Sequence, residues 1–515
     1  MASKWFTLGQ YIILSIALTL QVCRSVTASN HSKEFKLNMS CKQQRDCDKI
    51  VSVVQSTEND YIYLATKFTL KKLDNNLNPI LDRTMQVYGS NTEPNFILLR
   101  GSDLILCLKD DDGTCELWDA FSLNKTMEGY NTTMVINPEE SSTVAWVAKG
   151  DINGSDFVNI AISRTFHSSA VPRIIPLVST RILPQRNEPQ FKFLSYLEDN
   201  FGSPKSFLPP TPCLTTEIEP VYGFSTSRFN YFLKRHTNEN GRIETRLSRT
   251  CKHSSTFRSF IELPLECHKD NSDPTDRKLS SAYFINDQLY AVFTTTSQNE
   301  LESIVCRYHI NKINQQFTER RKECLLGITV TTELEWYQYN TCPSKPVPSS
   351  KFNISQLDDP DFCYDLDTAY PLGGRKPILE EPLGNLTMKE FITAILVVPT
   401  PDGEVYLLGD NAGYIHKISS MRGIEVKHFD LGSAMLPQNG LILSNDNATV
   451  YATSSEKIVA ISLTETWTTQ APTMEVHAST GKPDDPDDDE NFSILTQAWA
   501  PFTWIVAISV VVIIR

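Results

Sequence analysis

Between Val221 and Cys267 the chain reads VYGFSTSRFNYFLKRHTNENGRIETRLSRTCKHSSTFRSFIELPLEC, and no other stretch narrows the fold as much. Phe229, Tyr231 and Leu233 alternate with Asn230 and Phe232, the two-residue period of a largely buried strand. Asn238 to Gly241 (NENG) is a turn signal, and Arg242 to Thr250 alternates again with Ile243, Thr245 and Leu247 in step. Phe260, Ile261, Leu263 and Leu265 then lead to Cys267, sixteen residues after Cys251. Cysteines at two strand ends mark a secreted β architecture held by disulfides. Nothing in the stretch has the composition of a catalytic site.

Strand pairs of related design recur along the chain. Tyr61 to Ala65 turns back into Leu70 to Leu73, Glu404 to Ser419 folds over Asp410 to Gly413, and Thr449 to Leu463 repeats the arrangement. Phe96 to Trp118 forms a hairpin over Asp110 to Gly113, and a Cys107–Cys115 bond would close it with a gain of ~2–3 kcal/mol. Thr143 to Ala148, Phe157 to Ile162 and Phe391 to Val398 are further apolar strands, and Ser281 to Phe293 is a hairpin over Asn286-Asp287. Asn314 to Lys322 reads as an exposed helix with a solvated charged face, and Pro371 to Gly374 as a loop. Strand pairs among many turns imply an all-β repeat fold, either a propeller or stacked sandwiches.

The N-terminus predicts passage through the secretory pathway. Lys4, the apolar run Tyr11 to Leu20 and the small residue ending Val26-Thr27-Ala28 make residues 1–28 a cleavable signal peptide. Behind it lie the glycosylation sequons of Asn38, Asn124, Asn131, Asn153, Asn353, Asn385, Asn447 and Asn491, with Asn30 too close to the cleavage point for use. Of 12 cysteines, Cys23 lies in the signal. The eleven that remain leave one thiol over, free or available to a partner chain. At the other end, residues 464–497 are a disordered acidic stalk too polar to build a core. Residues 498–514 are apolar and read as a membrane span or as the tail of a glycosylphosphatidylinositol signal.

Charge and motif content exclude several functions. Net charge is −13, of which Gly481 to Glu490 supplies −5, so no basic surface for nucleic acid is expected. No metal or cofactor is expected either: there is no CxxC, no zinc-spaced Cys/His set and no calcium-loop pattern around Asp110 to Gly113. Serine-hydrolase, zinc-protease and phosphate-loop motifs are also missing. His253 and His268 merely flank cysteines, and Asp358 to Asp361 is a solvated acidic loop. A propeller hydrolase is therefore a minor alternative, and the chain is expected not to be an enzyme.

Taken together, these segments resemble the sema domain of plexins, the semaphorin receptors, over nearly all of Phe35 to Leu463. Phe229 to Leu233 is similar to the family's F-V-Y-F-L strand. Ser248 to Lys252 resembles its S-R-x-C-K/R-D turn, with His253 in place of the acid, and Phe257 to Cys267 resembles the following strand. Leu106-Cys107 with Gly113 to Cys115, Cys306 to Ile313, Glu319 to Cys324, Leu334 to Tyr337 and Cys342 fall in the family's order. So do Asp361 to Cys363, Pro371 to Gly374 and Asp430 to Ser433.

The resemblance implies a seven-bladed β-propeller with short helical insertions, spanning residues 35–463. Its N-terminal strand, near Phe35 to Met39, would complete the last blade beside Val450 to Ser454. The implied disulfides are Cys107–Cys115, Cys251–Cys363 and Cys267–Cys306, with Cys324–Cys342 as the pairing for the two left nearby. Cys41 and Cys47 could pair locally, and Cys213 is left unpaired. The implied partner is a semaphorin or another sema-domain protein, and self-association into a homodimer is a further expectation. No cysteine follows Cys363, so the cysteine-rich PSI module of plexins is not expected, nor are their further sandwich (IPT) modules and cytoplasmic GTPase-activating region. Such a chain would act at the cell surface as a receptor, decoy or co-receptor. The alternative is a semaphorin-like ligand that binds plexins.

Overall fold

In a computed structural model of the chain, the described residues lie between 33 and 463. Excepted are 38–47, 86–92, 110–113, 131–142, 150–155, 164–177, 184–217, 238–241, 253–258, 269–276, 296–300, 328–333, 337–345, 347–355 and short loop stretches between 357 and 439. The signal peptide, the stalk and residues 498–514 lie outside the described residues, as do Cys41, Cys47, Cys213, Cys342, Asn38, Asn131, Asn153, Asn353 and Asn491.

Seven sheets succeed one another along the chain. After β1 (Lys33–Lys36), blade one comprises β2 (Ile50–Gln55), β3 (Ile62–Thr66), β4 (Thr69–Leu73) and β5 (Pro79–Thr84). Blade two holds β6 (Glu93–Arg100), β7 (Asp103–Lys109), β8 (Cys115–Asp119) and β9 (Lys125–Tyr130). Blade three is described by β10 (Thr143–Ala148), β11 (Phe157–Ile162) and β12 (Val178–Ile182). Blade four holds β13 (Ile218–Ser225), β14 (Phe229–Thr237), β15 (Ile243–Cys251) and β16 (Ile261–Cys267). Blade five begins with β17 (Arg277–Ile285), β18 (Gln288–Thr295) and β19 (Ser303–His309). There the chain departs through helix α1 (Ile310–Leu325), β20 (Leu334–Trp336), β21 (Leu372–Gly374) and β22 (Ile378–Glu380), returning as β23 (Pro382–Met388). Blade six is β24 (Ile392–Thr400), β25 (Gly403–Asp410), β26 (Tyr414–Ser419) and β27 (Gly423–His428). Blade seven is β28 (Leu441–Leu443), β29 (Thr449–Thr453) and β30 (Lys457–Ser462), and β1 completes it. This is a seven-bladed β-propeller.

The closing strand differs in place from its expectation. β1 begins at Lys33 and pairs antiparallel with β30, Lys33 opposite Ala460 and Lys36 opposite Lys457, not with the strand at Val450 to Ser454. A propeller strand that comes from the far end of the chain can only join the open outer edge, and here that edge is β30, because β29 is already flanked by β28 and β30. Leu37 and Ile50 carry the join into blade one, packing with Leu64, Tyr451 and Ile458.

Hairpin turns follow their sequences. Asn286 and Asp287, both at positive φ (49° and 58°), make the two-residue turn that matches strand twist between β17 and β18. In β14, Phe229 to Leu233 are all buried, because each face of a blade is covered by a neighbouring blade.

Apolar clusters fill the seams on both sides of most blades, but the seam between blades three and four is built differently among the described residues. Trp146 of β10 meets Phe232 edge-on at 4.9 Å and donates from Nε1 to Ser225 Oγ at 2.8 Å. Thr180, Asn159 and Asn230 continue the seam as a hydrogen-bonded row. Gly223 in β13 makes the close approach possible: a Cβ there would lie 1.9 Å from Trp146 Cζ3. Gly223→Ala must push the indole off both partners, and a cost of about 2–3 kcal/mol is expected. Denaturant unfolding should read it as a lowered midpoint, with a smaller change for Gly223→Ala in a Trp146→Phe background.

Candidate interaction surface

The segment between β19 and β23 is the main departure from a plain blade, and it sets the shape of the outer wall. β21 adds parallel to β16, with Ile261 opposite Leu372, and β20 adds antiparallel to β21. β22 also runs parallel to β16, with Leu265 opposite Ile378. Blade four is thereby widened by chain that belongs, in sequence, to blade five. Pro371 to Gly374 is accordingly not all loop, since Leu372 to Gly374 form a buried strand.

Helix α1 props this wall. His309 caps its start, its Nδ1 accepting from Asn311 N at 3.2 Å, and Gly327 at φ 61° ends it. Ile310, Ile313, Phe317 and Cys324 face the core shared by blades four and five. The helix is longer than Asn314 to Lys322, and its charged side is not a solvated face: Asn314, Arg320 and Arg321 are buried. Arg321 donates to the carbonyls of Ser259 and Phe260 at 3.1 and 2.7 Å, tying the helix to the start of β16.

Beneath the helix, Asn314 Oδ1 accepts from Tyr231 OH at 2.7 Å and from Arg249 Nη1 at 3.0 Å. The Arg249 guanidinium lies 4.2 Å from the Phe229 ring and 5.0 Å from Phe317, and also donates to Pro360 O at 3.1 Å. Burial pushes the Tyr231 hydroxyl up to about 12, so it is a fixed donor at neutral pH. One arginine thus joins β15, α1 and the loop before Cys363. The other face of blade four carries a charged layer. Glu262 is buried, 2.6 Å from Lys234 Nζ and 3.5 Å from Arg246, and accepts from Ser248 Oγ at 2.6 Å. Burial alone would raise its pKa, yet Lys234 and Arg246 outweigh it and bring the carboxyl to about 2. Burial, then Lys234 and Arg246, draws the nearby His236 imidazole down to about 4.

Disulfides fasten the wall. Cys251 at the end of β15 is bonded to Cys363, and Cys267 at the end of β16 to Cys306 in β19. Cys107 and Cys115 close the β7–β8 hairpin. Cys324 is also disulfide-bonded. Among the sequons, Asn124 and Asn447 are exposed in turns, and Asn385 lies within β23.

The side chains weighed for chemistry are engaged structurally. His268 contacts Glu266 at 2.7 Å, Asp358 pairs with Lys322, and Asp359 accepts from Asp361 N at 2.9 Å. His253 lies outside the described residues. No group of three or more potential metal ligands converges among the described residues, and no described helix is long and apolar enough to cross a membrane. Arg249, Arg321 and Glu262 fall inside the motifs shared with sema domains, at Ser248 to Lys252, Glu319 to Cys324 and Phe257 to Cys267, but those motifs say nothing of what the side chains bind, and Asn314 has no sequence signal beyond a polar side chain on a helix whose other face is apolar.

Residues 267–436 match the Sema domain family. The chain is 25% identical over 348 residues to human Plexin-A4, covering 61% of this chain and 18% of that protein. It is 28% identical over 277 residues to human Plexin-A2, covering 47% of this chain and 14% of that protein. Mouse Plexin-B2 is 22% identical over 389 residues, covering 71% and 20% of the two chains. The chain thus spans between about a seventh and a fifth of the length of these relatives. In fold it is similar to the Plexin A4 extracellular region, with a TM-score of 0.65 at 19% identity, covering 81% of this chain and 39% of that one. A structure of Drosophila Plexin A in complex with Semaphorin 1b matches with a TM-score of 0.51 at 14% identity, covering 84% and 86% of the two chains.

Proposed function

We propose, from the premise that the propeller is a plexin-like sema domain, that this chain is a surface binding protein whose propeller engages a semaphorin or another sema-domain protein. The observation that carries the reading is the joint occurrence of sema-domain sequence over residues 267–436 and a seven-bladed propeller. The complex of Drosophila Plexin A with Semaphorin 1b supports a partner of the same class. The chain works on the receptor side, by recognition and not by catalysis. The secretory signal carries it out of the cell, and the apolar stretch 498–514 directs it to the membrane, either as a span or as the signal for a glycosylphosphatidylinositol anchor.

The physical basis is a pre-formed surface. Seven blades closed by β1, widened at blade four and fastened by α1 and two disulfides, have little backbone freedom left to lose when a partner docks. The described residues 33–463 fall in one compact unit, and the chain up to Gln470 is the part to test. Secreted from animal cells and immobilised, this part is expected to bind at least one semaphorin ectodomain saturably. Binding to plexin ectodomains and to no semaphorin would place the chain on the ligand side. Binding to neither would overturn the proposal. Sedimentation of the same protein reads homodimer formation directly.

A further inference from the structure

The turn between β8 and β9 carries a phenylalanine that the propeller does not cover. Phe121 is 70% exposed, more than any other large apolar side chain among the described residues. Its turn is well organised nonetheless. Asp119 Oδ1 accepts from Phe121 N at 3.1 Å and from Ser122 N and Ser122 Oγ at 2.8 Å each. The backbone closes with Leu123 N donating to Asp119 O at 2.8 Å and Asp119 N donating to Asn124 O at 2.9 Å. Leu123 takes a positive φ of 50° to turn the chain back.

The ring is held from one side. Lys72 of blade one reaches across the seam, its ammonium 4.6 Å from the Phe121 ring centroid and 4.0 Å from that of Tyr61, and donates to Phe121 O at 3.3 Å. A cation against one ring face fixes the orientation of the ring and leaves its other face to solvent. Three residues on, at the end of the same turn, Asn124 is exposed and opens the sequon Asn124-Lys125-Thr126.

We propose that Phe121 is the platform on which the first N-acetylglucosamine of a glycan on Asn124 stacks. A pyranose presents an apolar face of polarised C–H groups, which the negative face of an aromatic ring attracts. Stacking also removes from water a phenyl surface that the fold leaves uncovered. The five-residue connection 120–124 carries both the ring and the glycosylated amide, so the contact is local and costs little chain ordering. Lys72 adds preorganisation, since a ring already pinned loses less freedom when the sugar packs on it. The glycan thereby becomes a structural part of the seam between blades one and two.

This inference shares with the proposed function the passage of the chain through the glycosylating compartment. Occupancy of Asn447, exposed in the turn between β28 and β29, reports that passage independently. The test uses the full chain expressed in animal cells as wild type, Phe121→Ala, Asn124→Gln and the double variant, with peptide mapping of glycan occupancy and thermal unfolding of each. Asn124 is expected to be occupied, and Phe121→Ala to lower Tm by about 2 °C more in the glycosylated chain than in the Asn124→Gln background. Phe121→Trp, which keeps an aromatic face, is expected to retain the coupling. Equal shifts in the two backgrounds would overturn the proposal. So would a bare Asn124 beside an occupied Asn447, whereas bare asparagines at both positions would overturn it together with the secretory reading.

Discussion

Glu262→Leu is expected to destabilise the propeller by about 3–5 kcal/mol, the cost typical of removing one partner from a buried ion pair. Glu262 is 2% exposed and faces both Lys234 and Arg246. Its removal leaves two cations confined to one face of blade four without the anion between them. Leucine adds apolar bulk there, but the penalty comes chiefly from Lys234, since Arg246 keeps its pairing with Glu244 at 3.1 Å. A second change, Lys234→Met, is therefore expected to recover part of the loss, and a double-mutant cycle read by denaturant unfolding checks this. The wild type and Glu262→Leu should also differ in acid. The folded-state pKa of Glu262 is depressed from 4.5 to about 2, so its stabilisation is fully present above pH 4.5 and is lost as pH falls towards 2. In Glu262→Leu that part of the acid limb is absent, and the stability gap between the two proteins narrows across that window. A constant gap from pH 7 to pH 2 would show that the charge layer is not the source.

Removing the Cys251–Cys363 bond as Cys251→Ala with Cys363→Ala is expected to cost roughly 4–5 kcal/mol on the loop-entropy account. The bond spans 112 residues, and the Cys267–Cys306 bond lies inside that loop and shortens its free path only modestly. The bond also holds the loop whose Pro360 carbonyl accepts from Arg249, so its loss loosens the attachment of the inserted segment to blade four. Removal of the Cys107–Cys115 bond, which spans 8 residues, is the internal control, with a smaller expected loss of ~2–3 kcal/mol. Secretion yield and unfolding midpoint of the two double variants should rank in that order. The reverse ranking would mean that the long loop is already constrained by the buried contacts of Arg249, Asn314 and Arg321.

Local patterning carried much of the fold. Alternation placed the hairpins at Tyr61 to Leu73, Ser281 to Phe293, Glu404 to Ser419 and Thr449 to Leu463, because strand period and turn chemistry are properties of neighbouring residues. It left propeller and sandwich undecided, since both are built from the same hairpins. The choice between them came from the resemblance to plexin sema domains.

Two errors have one physical origin. The residues around Asn314 to Lys322 look like a solvated helix face, because charge in a sequence says nothing about what covers it. Arg321 is buried against the carbonyls of Ser259 and Phe260, and Asn314 takes a hydrogen bond from Arg249, 65 residues away in the chain. Likewise, the resemblance sets the first strand beside Val450 to Ser454, whereas β1 takes the free edge of β30.

By itself, then, the sequence determined most of the hairpin strands, their turns and the cysteine positions at strand ends, all of which depend on short-range chemistry. Only the tertiary structure decided that the inserted segment widens blade four, that Glu262 and Arg249 are buried hubs, and that Phe121 stands uncovered beside Asn124 on a lysine from the next blade. Each of these depends on which free edge or face lies opposite after the ring has closed. Closure brings together residues far apart in the chain, and neither period nor composition encodes that pairing.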